Sequence, residues 1–386
     1  MNPERGGQMK KRKLKWLYLI ICLVTLLTCQ KFEEGKWKGT IEELDGITVV
    51  KNPGEPMYRS EIVAFEEELR IGESEVPEES LVSNITSFTV DDEGNIIILD
   101  IRLGIKVFDK EGKYLRSISR RGQGPGEFQS PMNIQFTGQK EIMVNDIGGR
   151  GLLFFSIDGR FLSEIKNPIF RLNRHTLIDE RRNLFVLGPF LGRDTFRQEK
   201  FVKFAPPYED YEVITSRETP LRARVIPPQT RFALLPGNNL IWGVTSKYEF
   251  HVIDSEGRET RRIEKEHTPL PMTEEYKAKY FERLPAGISK ESQQFNAYFP
   301  AFDLFFSDDE GRLFVKTYEK QEASGKYIVD IFDEEGRFLT RTALKVGHEI
   351  ALNQDKYLIK GSRLYASEYN EEGFPVLKRY RIVWKY

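Results

Sequence analysis

Short apolar runs separated by acidic, glycine-containing turns recur along this chain. Ile85–Val90 is followed by Asp91-Asp92-Glu93-Gly94, and then by Ile96-Ile97-Ile98-Leu99 ending at Asp100. Lys106-Val107-Phe108 leads through Asp109-Lys110-Glu111-Gly112 into Tyr114–Ile118. Runs this short, rich in Ile, Val and Phe and bounded by Asp and Gly, predict strands rather than helices. The plan then restarts. Asn133–Phe136, Ile142-Met143-Val144 ending at Asn145-Asp146, Leu152–Phe155, the turn Asp158-Gly159 and Phe161–Ile165 form a second group of four. Between the two groups lies Arg120-Arg121-Gly122-Gln123-Gly124-Pro125-Gly126-Glu127-Phe128. Its glycines and proline exclude a helix or strand interior, so it reads as the joint between repeats.

Weaker copies follow at Leu177–Phe204 and at Phe232–Gly257, and a clear one at Leu304–Gly336 with its turns Asp308-Asp309-Glu310-Gly311 and Asp333-Glu334-Glu335-Gly336. The last runs from Ile350 to Trp384. Units of four short up-and-down strands, about 40–50 residues each, describe propeller blades, and the chain accommodates six. Upstream, Asp45-Gly46 between Ile41 and Ile47–Val50 signals a tight hairpin. Glu61–Ile71 carries one further strand, the expected closing strand of the ring. One helix is expected, at Thr273–Leu284 within the insertion His267–Pro300 between the fourth and fifth units. Thr273 caps it, and Tyr276, Tyr280, Phe281 and Leu284 share a face.

The Asp-x-x-Gly turns, the strands ending in Asp100 and Asp146, and the Gly-Pro-Gly-Glu-Phe joint resemble NHL-type repeats. More closely they resemble the six-bladed β-propeller lipoproteins of bacteria, over roughly residues 60–386. The resemblance implies an all-β, six-bladed propeller of four-stranded blades, with a short helical insertion between blades four and five and the ring closed by a strand near 61–71.

The N-terminus adds an address. Lys10-Lys11-Arg12-Lys13 and Lys15 precede an apolar run from Trp16 to Leu27, the layout of a secretory signal over residues 1–28 and shorter than a membrane span. Leu26-Leu27-Thr28-Cys29 resembles a bacterial lipobox, although Thr28 stands where Gly, Ala or Ser is usual. The resemblance implies lipidation of Cys29, with residues 29–60 as a tether plus hairpin, and Gln30 points to the outer membrane. Secretion with Cys29 unmodified is the alternative. The only other cysteine, Cys22, lies inside the apolar run, so no disulfide is expected in the mature chain.

Charge narrows the function classes. The first 28 residues hold six basic and one acidic side chain, leaving 52 basic against 58 acidic and a net charge of −6. A mildly acidic chain lacks the electrostatic footprint of a nucleic-acid binder. The four histidines, His175, His251, His267 and His348, show no metal-ligand spacing. No nucleophile elbow, zinc-helix motif or phosphate loop is present. Recurrence of the acidic turns at one position in each repeat marks them as hairpin turns rather than calcium loops. By the same argument Asp100 and Asp146 brace loops.

Candidate ligand contacts are Arg120 and Arg121 at the joint, His175 at the start of the third unit, and Arg222 and Arg224 within the basic segment Arg217–Arg231. The arginines together suit an anionic glycan, carboxylate or lipid headgroup, and His175 a contact at the channel mouth. The expectation is an exported, membrane-tethered binding or scaffolding propeller, monomeric and without cofactor. Its partner would be an extracytoplasmic protein, glycan or small ligand. The rival is an exported lyase or hydrolase with a channel-centred, metal-dependent site.

Overall fold

A computed structural model describes residues 34–72, 77–149, 151–166, 175–190, 196–220, 225–282, 284, 289–344 and 356–385. Strands β1 (Thr40–Leu44), β2 (Ile47–Asn52) and β3 (Val63–Ile71) precede the repeats. Blade one is β4 (Ile85–Val90), β5 (Ile96–Asp100), β6 (Gly104–Phe108) and β7 (Tyr114–Ser119). Blade two is β8 (Pro131–Phe136), β9 (Glu141–Asp146), β10 (Gly151–Ser156) and β11 (Phe161–Ile165). Blade three comprises β12 (Thr176–Ile178), β13 (Leu184–Phe190), β14 (Phe196–Phe204) and β15 (Tyr211–Pro220). Blade four comprises β16 (Thr230–Leu235), β17 (Asn239–Val244), β18 (Glu249–Ile253) and β19 (Glu259–Lys265). After helix α1 (Glu274–Glu282), blade five is β20 (Leu304–Ser307), β21 (Leu313–Lys320), β22 (Tyr327–Phe332) and β23 (Phe338–Leu344). Blade six is β24 (Tyr357–Lys360), β25 (Arg363–Tyr369) and β26 (Pro375–Trp384), with β3 as its outer strand.

These six antiparallel sheets form a six-bladed β-propeller. β3 pairs antiparallel with β26, from Ile71 opposite Leu377 to Val63 opposite Trp384, so the two ends of the repeat array share one sheet. That pairing spares the last blade an open edge at β26.

The core lies between blades, which explains the nearly continuous apolar strands. Along β5, Ile96 and Ile98 pack toward blade six with Tyr365 and Leu377, while Ile97 and Leu99 pack toward blade two with Ile134 and Val144. A strand buried on both faces loses the apolar–polar alternation of a half-exposed one. Comparable clusters fill the other junctions, from Phe154 with Phe204 between blades two and three to Phe306 with Tyr357 between blades five and six.

The N-terminal hairpin joins the outer edge of blade four. Asp45 and Gly46 both adopt positive φ, as a two-residue hairpin turn demands, and β2 then pairs parallel with β19. Blade four thereby becomes a six-stranded sheet. Asn52 holds the junction: its Nδ2 donates to the carbonyls of Glu264 and Gly336, and its Oδ1 accepts from Phe338 N–H and Trp37 Nε1.

The Gly-Pro-Gly-Glu-Phe joint is a folded corner. Gly122 N–H donates to the Phe128 carbonyl, Gly124 N–H to Glu127 Oε2, and Ser119 Oγ to the Gly126 carbonyl. Gly126 has φ 74°, and a Cβ there would press on the Phe161 ring. Phe128 is fully buried among Ile97, Leu99, Val144 and Phe155, pinning the corner between blades one and two.

Candidate functional site at the ring of inner strands

In a propeller the first strand of each blade faces the central channel, and the connections between blades gather at the end where these strands begin. Polar groups join neighbouring blades around that inner ring. Lys356 Nζ donates to the Ile85 carbonyl at 2.7 Å, linking blades six and one. Ile134 N–H donates to Ser87 Oγ across blades two and one. Asn133 Nδ2 reaches the Thr176 carbonyl and Asn145 Nδ2 the Thr176 hydroxyl, across blades two and three. Thr230 Oγ1 donates to Glu199 Oε1 at 2.8 Å across blades four and three, and Arg231 Nε donates to the Asp303 carbonyl at 3.1 Å at the start of blade five. Gly361 N–H donates to Asp309 Oδ2 at the opposite ends of the inner strands of blades six and five.

Carboxylates in this framework are committed to structure. Asp100 Oδ2 accepts from Ser83 N–H and Asn84 N–H at 2.6 and 2.8 Å, and its Oδ1 accepts from Arg102 N–H and Leu103 N–H at 2.8 and 3.0 Å. Asp146 repeats the device with Gln129, Ser130 and Gly148 N–H groups. At the other end, Asp91, Asp109, Asp254 and Asp308 each accept two turn N–H groups on one oxygen. Asp333 accepts from Arg337 N–H in the same way. The acidic turns are therefore hydrogen-bonded hairpin turns, and among the described residues no group of acids, His or Cys is arranged to hold a metal.

Arg231, Asp303, Lys316 and Tyr318 form a charged cluster at the ring. Asp303 Oδ2 accepts from Lys316 Nζ at 2.5 Å, and its Oδ1 from the Tyr318 hydroxyl at 3.3 Å. Lys316 also lies 4.2 Å from the Tyr327 ring centre, a cation–π contact. Burial, with Asp303 alongside, lifts the Tyr318 hydroxyl well above its usual titration range, so it stays a proton donor. Burial lowers the Arg231 guanidinium from its ordinary value, against the pull of Asp303.

The insertion lies over this group. Thr273 Oγ1 accepts from Tyr276 N–H and caps α1. The aromatic face of α1 packs on the rest of the insertion, Tyr276 against Phe299 and both Tyr280 and Phe281 against Phe295. Phe299 in turn stacks on Tyr318, 5.0 Å between centres. A groove of about 640 Å³ runs beside it, lined by Pro228, Ser246, Phe295 and Tyr298.

The residues expected from the sequence fall in different places. Arg120 and Arg121 follow the outermost strand of blade one. Arg120 is ion-paired with Glu127 and 82% exposed, and Arg121 pairs through its backbone with Phe128. His175 immediately precedes inner strand β12, with its ring 4.8 Å from that of Phe232 in blade four. The structure thus places His175 at the ring and the two joint arginines at the rim. Cys29, Arg222, Arg224 and His348 lie outside the described residues. His251 stacks on Trp242 at 4.3 Å between the carboxylates of Glu249 and Glu259. Arg231, Asp303, Lys316 and Tyr318 were not singled out by sequence. Their one signal was that Arg231 ends the basic segment.

Comparison with known proteins supports the architecture. Residues 75–203 match the family model DUF5128, described as a 6-bladed beta-propeller. A protein from Bacteroides fragilis designated as exported superposes with TM-score 0.54 at 16% identity, over 87% of this chain and 99% of its own. A member of the DUF4221 family from Bacteroides vulgatus superposes with TM-score 0.55 at 13% identity, over 83% and 98%. At these identities the likeness is one of fold. No curated protein matches the chain.

Proposed function

We propose that this protein is an exported binding propeller, tethered to the outer membrane by a lipid on Cys29, that recognises its ligand at the channel mouth where the inner strands begin. Export and tethering rest on the basic cluster Lys10–Lys13, the apolar run to Leu27 and the lipobox-like Leu26–Cys29. Binding rather than catalysis rests on one observation: among the described residues, the ring acids Asp100, Asp146, Glu199 and Asp303 are each engaged by N–H groups, hydroxyls or cations of the protein itself. Acids so engaged hold a shape and leave a fixed polar surface, on which the connections between blades impose specificity.

Site-specific photo-crosslinking tests the reading. A crosslinker at Tyr298, 53% exposed on the insertion at the mouth, is expected to capture a ligand or partner in cells; one at Glu111, in a turn at the opposite end, is not. Equal capture at both positions, or none at Tyr298, refutes recognition at the mouth.

A further inference from the structure

Arg231 is a buried cation whose charge its surroundings leave uncompensated. It is only 7% exposed, and its one hydrogen bond among the described residues runs from Nε to a backbone carbonyl, that of Asp303. The Nη atoms take part in no hydrogen bond among the described residues. Residue 231 sits on the innermost strand of blade four, and its guanidinium reaches the start of blade five.

Two carboxylates act on it electrostatically, Asp303 and Glu199. Each already has its own cation: Lys316 on Asp303 at 2.5 Å, and Arg217 on Glu199 at 2.6 Å. Within this group of five side chains, three cations stand against two anions, a net charge of +1. A desolvated, unpaired charge is costly, and an incoming anion offsets that cost.

We infer that Arg231 forms a carboxylate-binding site in the channel mouth, taking a monoanionic ligand through its two Nη groups. The planar fork of a guanidinium matches the two oxygens of a carboxylate in parallel hydrogen bonds. The net charge of +1 selects a monoanion, because a dianion would bring surplus negative charge beside Asp303 and Glu199. This assignment rests on the channel-mouth reading above and adds the chemical class of the ligand.

Titration calorimetry on the detergent-solubilised full-length protein tests it, with acetate and glucuronate as monocarboxylate probes, sulfate as dianion and methyl glucoside as neutral control. Wild type is expected to bind both carboxylates saturably, sulfate more weakly and the glucoside not at all. A hydrogen bond to a charged group contributes about 1.5–3 kcal/mol, so Arg231→Met should weaken carboxylate binding by roughly 10-fold to 150-fold. Arg231→Lys, which keeps the charge without the fork, should fall between. Asp303→Asn removes an anion and releases Lys316, and should strengthen binding. Should Arg231→Met fail to fold, the opposite shifts of Arg231→Lys and Asp303→Asn carry the test. Absence of saturable carboxylate binding, an affinity unchanged in Arg231→Lys, or sulfate bound as tightly as acetate overturns the assignment. If carboxylates fail to bind while Tyr298 crosslinking persists, the mouth still binds a ligand and only its class is wrong.

Discussion

Replacing Asp100 by Asn separates a bracing carboxylate from a catalytic one. The carboxylate is fully buried, and each oxygen grips a different loop: Oδ2 the segment Ser83–Asn84 that leads into β4, Oδ1 the turn Arg102–Leu103 between β5 and β6. Asn retains one acceptor oxygen and turns an NH₂ group toward the other pair of N–H donors. Two hydrogen bonds to a charged acceptor are lost and a donor–donor clash is introduced. At about 1.5 kcal/mol or more per bond, the expected destabilisation is about 3 kcal/mol. Asp100→Ala strands all four N–H donors and the Ser83 hydroxyl, and partial rescue by water should hold its cost to roughly 3–5 kcal/mol. Asp146 makes longer contacts, 3.2 Å to Gln129 and Gly148 N–H beside 2.6 Å to Ser130, so Asp146→Asn should cost less than Asp100→Asn. Equilibrium urea unfolding gives the energies, and hydrogen exchange at the Asn84 and Leu103 amides locates the loss. An Asp100→Asn protein within ~0.5 kcal/mol of wild type, the scatter of ordinary surface substitutions, with unchanged protection refutes the bracing role.

Three further outcomes are expected. Phe128→Ala empties a fully buried site between blades one and two and should cost about 3–5 kcal/mol in urea unfolding; a loss under ~1 kcal/mol would mean the corner is held without its anchor. The Gly124 N–H and Arg120 guanidinium hold the Glu127 carboxyl below its usual value of 4.5. Its contribution is therefore complete above that value and lost as pH falls below 4.5 through the lower folded value, so the stability gap between wild type and Glu127→Gln should narrow in that window. A gap constant from neutral to acid pH contradicts this. Cys29→Ser should release the protein from membranes into the soluble exported fraction, with mass spectrometry of wild type finding acyl chains on Cys29; a wild-type N-terminus lacking them ends the tether proposal.

The blades were legible because their signals are local. Ile96–Leu99 must be buried on both faces, and an Asp followed three residues later by a Gly at positive φ closes its own hairpin, as at Asp91 and Gly94. Helix α1 was legible for the same reason, since Thr273 caps it within one turn. Long-range docking was not. The hairpin signal at Asp45-Gly46 is complete within a dozen residues, but nothing near it announces that Asn52 will bond Glu264 and Gly336. Arg231 was hidden for a subtler reason. Its neighbour Phe232 packs on Phe201 of blade three, so the alternation of the strand sends Arg231 toward blade five, where Asp303 lies 72 residues away. In sequence it is the tail of a basic run.

The partition of charge at the ring also fixes where ligand selectivity can come from. Asp303, Lys316 and Tyr318 are locked to one another, and Arg231 is fixed through Nε, so this cluster presents one unvarying feature: a cation for a carboxylate. It reads charge and says nothing of the rest of a ligand. That task falls to what lies against it, and the structure provides a physical link. Tyr318, bonded to Asp303 from below, is covered from above by Phe299, which packs on Tyr276 of α1. The groove along Phe295, Tyr298 and Phe299 therefore shares a wall with the charged cluster. A ligand anchored by its carboxylate on Arg231 would extend along aromatic surface contributed by the insertion. Truncating Tyr298 should then discriminate among carboxylates of different size, weakening glucuronate more than acetate. Truncating Arg231 should weaken both alike.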